Sequence, residues 1–295
     1  MSARSKSRSS RVAAPGRFDA HVHLSRYWPD LAKNSYGPEV DFTVPGLLAE
    51  FDAAGIGKGL LLQLNDAPDV DATLQEGAAM ARASGGRLLR TSTVDPTKGA
   101  AAIADAVARW ERTPDLVAIK LYPGYQRFYP HDPVLGPLYE FAARRRLPVL
   151  FHQGDTLDPA GLVKFARPIE VDEVAVRFRE LPIVLCHMGN PWFEEAAELV
   201  YKNPNVYADT SGLLWDPRLP RFEELVRRAQ VRLGNALAEI GDVSKILYGS
   251  DWPLESIELA VRFIEGLPLS ESDKAQILGG NALLLFGKFA RDSSG

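Results

Sequence analysis

Two histidines stand one residue apart in the stretch RFDAHVHL, residues 17–24, of a chain that holds only five histidines. In a β-strand, side chains two positions apart share a face, so His21 and His23 are expected side by side. Paired imidazoles fill a core poorly, because every ring nitrogen needs a partner. They suit a pincer for a cation. Residues of similar chemistry recur at the ends of later apolar runs: Lys120 in LVAIKLYP, His152 in LPVLFHQG, His187 in LPIVLCHMG and Asp251 in SKILYGSDWP.

The elements that must position them follow from the hydrophobic pattern. Eight short apolar, β-branched runs begin near residues 17, 57, 87, 116, 147, 181, 205 and 244. Between them lie segments with apolar residues at three- and four-residue spacing, such as VPGLLAEFDAAG and DATLQEGAAMARAS, the pattern of amphipathic helices. Eight strands, each followed by a helix, predict a single-domain α/β fold, a (β/α)8 TIM barrel. A doubly wound sheet shows the same alternation but usually carries a glycine-rich turn after its first strand. Here that strand runs into HVHLSRYWPD, which has no glycine. Barrel active sites lie at the C-terminal ends of the strands. Four of the five histidines and Asp251 fall at such ends, which marks one functional mouth.

Composition narrows the class. Of 295 residues, 46% are hydrophobic and 24% charged, the balance of a globular protein without a membrane span. A net charge of -4 and a pI near 5.8 argue against nucleic-acid binding. The single cysteine, Cys186, fits a reducing, cytoplasmic setting. Residues 1–16 are Arg- and Ser-rich and lack acids, the composition of a disordered basic tail. The barrel domain is expected over 17–290.

The H-x-H at the first strand, the histidines on the fifth and sixth and the aspartate on the eighth resemble the signature order of the amidohydrolase superfamily. FHQGD, LCHMGNPW, NVYADTSG, YGSDWP and ILGGNALLLFG resemble its amidohydrolase-related branch, which holds hydrolases and aminocarboxymuconate-semialdehyde-type decarboxylases. The resemblance implies one divalent ion held by His21, His23, His152 and Asp251. Imidazoles with a carboxylate suit Zn(II), with Mn(II), Fe(II) or Co(II) as alternatives. Lowering the pKa of a bound water from ~15.7 to ~7 corresponds to about 12 kcal/mol of hydroxide stabilisation. Carried over from the family, Asp251 would also shuttle that water's proton, and His187 would polarise the substrate or act as acid and base.

Lys120 is a fork. It resembles the fourth-strand lysine that two-metal members carboxylate as a bridge; otherwise it pairs with a carboxylate of the mouth or of the substrate. His131, in FYPHDP, either touches substrate or belongs to a rigid turn. Asp19 and Asp209 read as acceptors that orient an imidazole or as structural carboxylates. Cys186 is expected on the face opposite His187, as buried packing. Mouth aromatics such as Trp28, Tyr122, Tyr125 and Trp252, with Arg26, Arg127 and Arg218, suit a small cyclic or carboxylate-bearing substrate.

The leading expectation is a metal-dependent hydrolase. The alternative is a metal-dependent non-oxidative decarboxylase; a metal-free lactonase or non-catalytic binding barrel ranks lower. A TatD-like nuclease shares the opening H-x-H, but Lys120 stands where its fourth-strand glutamate belongs. The partner is a small molecule, with no nucleic acid and no membrane; a homodimer is compatible with the apolar helices.

Overall fold

Parallel strands in strictly sequential order build the core of the computed structural model, which describes residues 16–34, 36, 40–214 and 216–290. The strands are β1 (Arg17–Val22), β2 (Ile56–Leu61), β3 (Leu88–Ser92), β4 (Ala118–Leu121), β5 (Val149–Phe151), β6 (Ile183–Leu185), β7 (Val206–Asp209) and β8 (Ile246–Leu247). Each is followed by a helix: α1 (Val44–Ala54), α2 (Val70–Ala83), α3 (Ala100–Glu111), α4 (Gly136–Arg145), α5 (Asp172–Arg177), α6 (Phe193–Lys202), α7 (Phe222–Ile240) and α8 (Ile257–Glu265). Two more, α9 (Glu271–Ala275) and α10 (Asn281–Ala290), close the chain. The expected (β/α)8 barrel is the fold. Apart from Gly16, the basic tail expected over residues 1–16 lies outside the described residues. Among the described residues, no helix is long and apolar enough to cross a membrane.

Local chemistry sets the helix ends. Thr43, Asp69 and Ser256 cap α1, α2 and α8 by accepting backbone N–H groups, each cap contributing about 1 kcal/mol. Along α8, Ile257, Ala260, Val261 and Ile264 are buried, the face that the three- and four-residue spacing implies.

Strand alternation sorts the core into two layers. Ile119, Phe151 and Leu185 belong to the large cluster that joins sheet to helices. Ala118, Leu150 and Val184 belong to a separate cluster, which includes Leu60, Leu89 and Leu247 and reaches α10 through Phe18 and Phe286. Two residues beyond each of those three stand Lys120, His152 and Cys186, so the inward phase of β4, β5 and β6 leads to these side chains. The strands are shorter than the apolar runs suggest. His152 lies one residue past β5, His187 two past β6 and Asp251 four past β8. The barrel closes beyond the short β8 by backbone hydrogen bonds: Ala20 N–H to the Tyr248 carbonyl (2.9 Å), Asp251 N–H to His21 (2.9 Å) and His23 N–H to Trp252 (2.7 Å).

Candidate metal centre and active site

The two histidines of β1 meet as their spacing requires, with Nε2 atoms 3.1 Å apart. His21 Nδ1 lies 2.9 Å from Asp209 Oδ2 and His23 Nδ1 lies 3.1 Å from the Leu62 carbonyl. Carboxylates and carbonyls accept, so both Nδ1 atoms donate and both Nε2 atoms present lone pairs. Asp251 Oδ1 lies 3.2 Å from His21 Nε2 and 3.3 Å from His23 Nε2. It is sealed from solvent and has no hydrogen-bond partner. Three buried acceptors converging without a donor need a cation between them. His21, His23 and Asp251 offer ligand atoms that all lie within 4.8 Å of one another, and this donor set fits a divalent ion.

Electrostatics agree with that fit. Burial, assisted by the Lys120 charge, pushes His21 down to about 3 against the pull of Asp209 and Asp251. Its imidazole is therefore neutral at pH 7, the form that binds metal. Burial alone would raise the Asp251 carboxyl, but the surrounding imidazoles of His21, His23 and His187 hold it well below the carboxylate range. Asp209 is likewise raised by burial and lowered on balance, chiefly by His21.

His152 and His187 form a second pair, Nδ1 to Nε2 at 3.1 Å. His152 Nε2 donates to the Asp155 carbonyl at 2.8 Å. His187 Nδ1 faces the Ser211 carbonyl at 3.2 Å and the Ser211 hydroxyl at 2.9 Å. With the outer nitrogens donating, two lone pairs again face each other, a place for one proton or a cation. Burial lowers both pKa values, well below 6.5 for His152. The four ligands implied by the family resemblance thus divide: three gather tightly, and His152 turns its Nδ1 toward His187.

Backbone conformation brings the last residues in. His187 and Asp251 both occupy the left-handed region, with φ of 61° and 62°, a sparsely populated state for residues with a side chain. The His187 N–H donates to Asp209 Oδ1 at 2.9 Å. This turn corrects the expectation for Cys186. On the regular phase of β6 it is Cys186 that points inward, where its Sγ lies 2.8 Å from Lys120 Nζ; His187 reaches the mouth only through the turn. Burial pushes the Cys186 thiol well up. Lys120 is fully buried, with its ammonium 5.2 Å from the Tyr122 ring centre.

Other expectations are redistributed. Asp209 does orient His21, whereas Asp19 Oδ1 accepts from the backbone N–H groups of His21 and Ser250. His131 stacks on Tyr129 at 5.3 Å, with Nδ1 3.4 Å from the Glu170 carbonyl. It lines a separate small cavity beside Tyr139 and Arg177, so it lies off the site. Arg26 pairs with Glu76 and Arg218 with Asp216; with Arg127, neither lines the mouth cavity. The Trp252 indole is fully buried and donates to Glu50.

The mouth cavity measures about 290 Å³ and is lined by His23, Lys120, His152, His187 and Asp251 under Trp28, Tyr122, Tyr125, Leu31, Leu64 and Leu254. Two further residues escaped sequence reasoning. Glu255, also lining the cavity, accepts the Leu214 N–H and is raised well above 4.5 by burial, then by Asp251. Ser211 contacts both His21 and His187. Ser211 sits in the quoted NVYADTSG motif, but nothing in the local pattern says that its hydroxyl reaches across the barrel.

The family profile described as "Amidohydrolase" matches residues 18–288. A gamma-resorcylate decarboxylase from Polaromonas sp. strain JS666 is 30% identical over 130 residues, covering 37% of this chain and 35% of that protein. The chain therefore matches about a third of that relative's length. Crystalline 5-carboxyvanillate decarboxylase from Sphingomonas paucimobilis has the same fold, with a TM-score of 0.65 at 19% identity over 92% of this chain and 99% of that one. A dihydroxybenzoic acid decarboxylase from Polaromonas sp. JS666, solved with manganese and the inhibitor 2-nitroresorcinol, gives a TM-score of 0.68 at 18% identity, covering 92% and 97%.

Proposed function

Since the chain belongs to the amidohydrolase family, we propose that it is a metal-dependent, non-oxidative decarboxylase of a small cyclic carboxylic acid. The observation that carries this reading is the 30% identity to a gamma-resorcylate decarboxylase. It favours the carbon–carbon cleaving alternative over the hydrolase that the motifs alone placed first. The cavity supports it: about 290 Å³ with aromatic and leucine walls lies at the small end of ligand pockets, roughly 300–1,000 Å³.

His21, His23 and Asp251 would hold the ion, with His152 beside them; Zn(II) and Mn(II) both fit the donors. When bound, the ion supplies Lewis acidity and neutralises substrate charge. Lys120 presents an ammonium at the cavity floor to the acid's carboxylate. Release of carbon dioxide from a ring carboxylate requires that the ring carbon take up a proton, so that R–COO⁻ and H⁺ give R–H and CO₂. His187 Nε2, a lone pair in the resting site beside His152 Nδ1, is the atom that would take up that proton and deliver it. Burial weakens its grip on the proton, which suits transfer to carbon, a weak base. Trp28, Tyr122 and Tyr125 keep water from competing.

The test is an incubation of the purified protein with gamma-resorcylate and 5-carboxyvanillate, measuring carbon dioxide and metal content. The expected result is carbon dioxide equal to ring product, with roughly one divalent ion per chain. Chelation should abolish turnover, and Zn(II) or Mn(II) should restore it. Hydrolysis of a lactone or ester panel, with no carbon dioxide from either acid, would return the hydrolase to first place.

A further inference from the structure

We propose that the Ser211 hydroxyl is a positioning group that sets the tautomer of His187 and ties it to His21 through one shared oxygen. Ser211 is fully buried, just past the end of β7. Its Oγ contacts Asp209 Oδ1, and also lies 2.9 Å from His21 Nδ1 and 2.9 Å from His187 Nδ1. A hydroxyl has one proton to give. A carboxylate can only accept, so that proton goes to Asp209. The oxygen is then an acceptor for both imidazoles, and each Nδ1 must carry a hydrogen.

The two histidines depend on this oxygen unequally. His21 Nδ1 also meets Asp209 Oδ2 at 2.9 Å, so its tautomer is doubly determined. His187 has no carboxylate on its Nδ1; besides the hydroxyl it has only the Ser211 carbonyl, at 3.2 Å. The hydroxyl, the shorter of these two contacts, is therefore the main group that keeps His187 Nε2 free as a lone pair turned toward His152 and the cavity. The inference rests on the proposed function only for the use made of that lone pair; the tautomer itself can be read without substrate.

The experiment is two-bond ¹H–¹⁵N NMR on Zn(II)-loaded protein labelled with ¹⁵N-histidine, whose five imidazoles can be assigned by single replacement. In the wild type, His21 and His187 should both be Nδ1–H tautomers. In Ser211→Ala, His187 should populate the Nε2–H form while His21 keeps its tautomer and zinc content is unchanged. Alongside, kcat should fall by roughly 10–100-fold, the usual scale for losing an outer hydrogen-bond partner, with KM little changed. An Nε2–H His187 in the wild type overturns the proposal even if the variant does not fold. So does an unaltered His187 spectrum in Ser211→Ala, whatever happens to turnover. The expected tautomer shift in a protein that decarboxylates neither acid sustains the role of Ser211 and removes the proposed reaction.

Discussion

At the scale of single residues, the site separates groups that hold an ion from a group that handles a proton. Asp251 Oδ1 faces two imidazole lone pairs, so Asp251→Asn puts an amide where an anion is needed. It should lose most of the bound divalent ion, and turnover should fall with it. His187 faces His152 and Ser211 and stands outside the ligand group of His21, His23 and Asp251. His187→Asn should keep the ion and still lose about 10²- to 10⁴-fold in turnover, the range for removing a general acid or base. Elemental analysis beside kinetics distinguishes the two variants. Equal metal loss in both would place His187 among the ligands and undo the assigned division. The buried Lys120–Cys186 contact belongs to the same scale: the Lys120 charge helps keep the His21 imidazole neutral, the form that binds a metal.

At the scale of elements, the loops after β7 and β8 are fastened to each other and to the imidazoles. Glu255 accepts the Leu214 N–H, so the loop carrying Asp251 grips the loop carrying Ser211 and Gly212. Gly212 has φ of 64°, and a Cβ there would stand 2.7 Å from His187 Nδ1 and 3.4 Å from Asp251 Oδ2. Gly249 makes a similar approach, with a Cβ position 2.7 Å from the His21 Cβ. Gly212→Ala combines a left-handed backbone with that clash. Stability should drop by about 1–3 kcal/mol, and turnover should drop because His187 must move. A urea titration and a rate measurement test this together; unchanged stability with full turnover would mean that the loop relaxes freely and does not position the imidazole.

At the scale of the whole molecule, burying so many ionisable groups links stability to pH. His21, His152 and His187 all have pKa values lowered, by burial first. The unfolded chain protonates them near 6.5 and the folded chain does not, so they destabilise the fold as pH falls through that value. Burial raises Asp19 to about 7 and Glu255 well above 4.5. The folded chain holds these two protons where the unfolded chain has lost them, which opposes the histidines. Once acid has fully protonated the unfolded imidazoles, three histidines against two carboxyls leave the unfolded chain at most about one proton ahead, or at most about 1.4 kcal/mol per pH unit. For metal-free protein the urea midpoint should decline between pH 6 and 5. A rise on acidification would show that the carboxyl protons dominate. Divalent ion at a hundred times its Kd should add about 2.7 kcal/mol at pH 7, and less in acid, where protons compete for the imidazoles.

The eight apolar runs, the helices between them and the order H-x-H, Lys, His, His, Asp determined the barrel and the residues of its mouth. Those signals are local, since periodicity reports the face each side chain shares with near neighbours. Tertiary structure decided what periodicity cannot carry. A left-handed turn after β6 lets Cys186 and His187 both face inward, because the positive φ of His187 and Met188 overrides strand alternation. His131, Arg26 and Arg218 looked available in the sequence, yet they stack or pair outside the mouth, with Tyr129, Glu76 and Asp216. The partnership of His152 with His187, the hydroxyl that Ser211 shares between β1 and β6, and the grip of Glu255 on the neighbouring loop all join segments tens to hundreds of residues apart. Such contacts exist only once the barrel has closed and excluded water, because only then must every buried donor and acceptor find its partner.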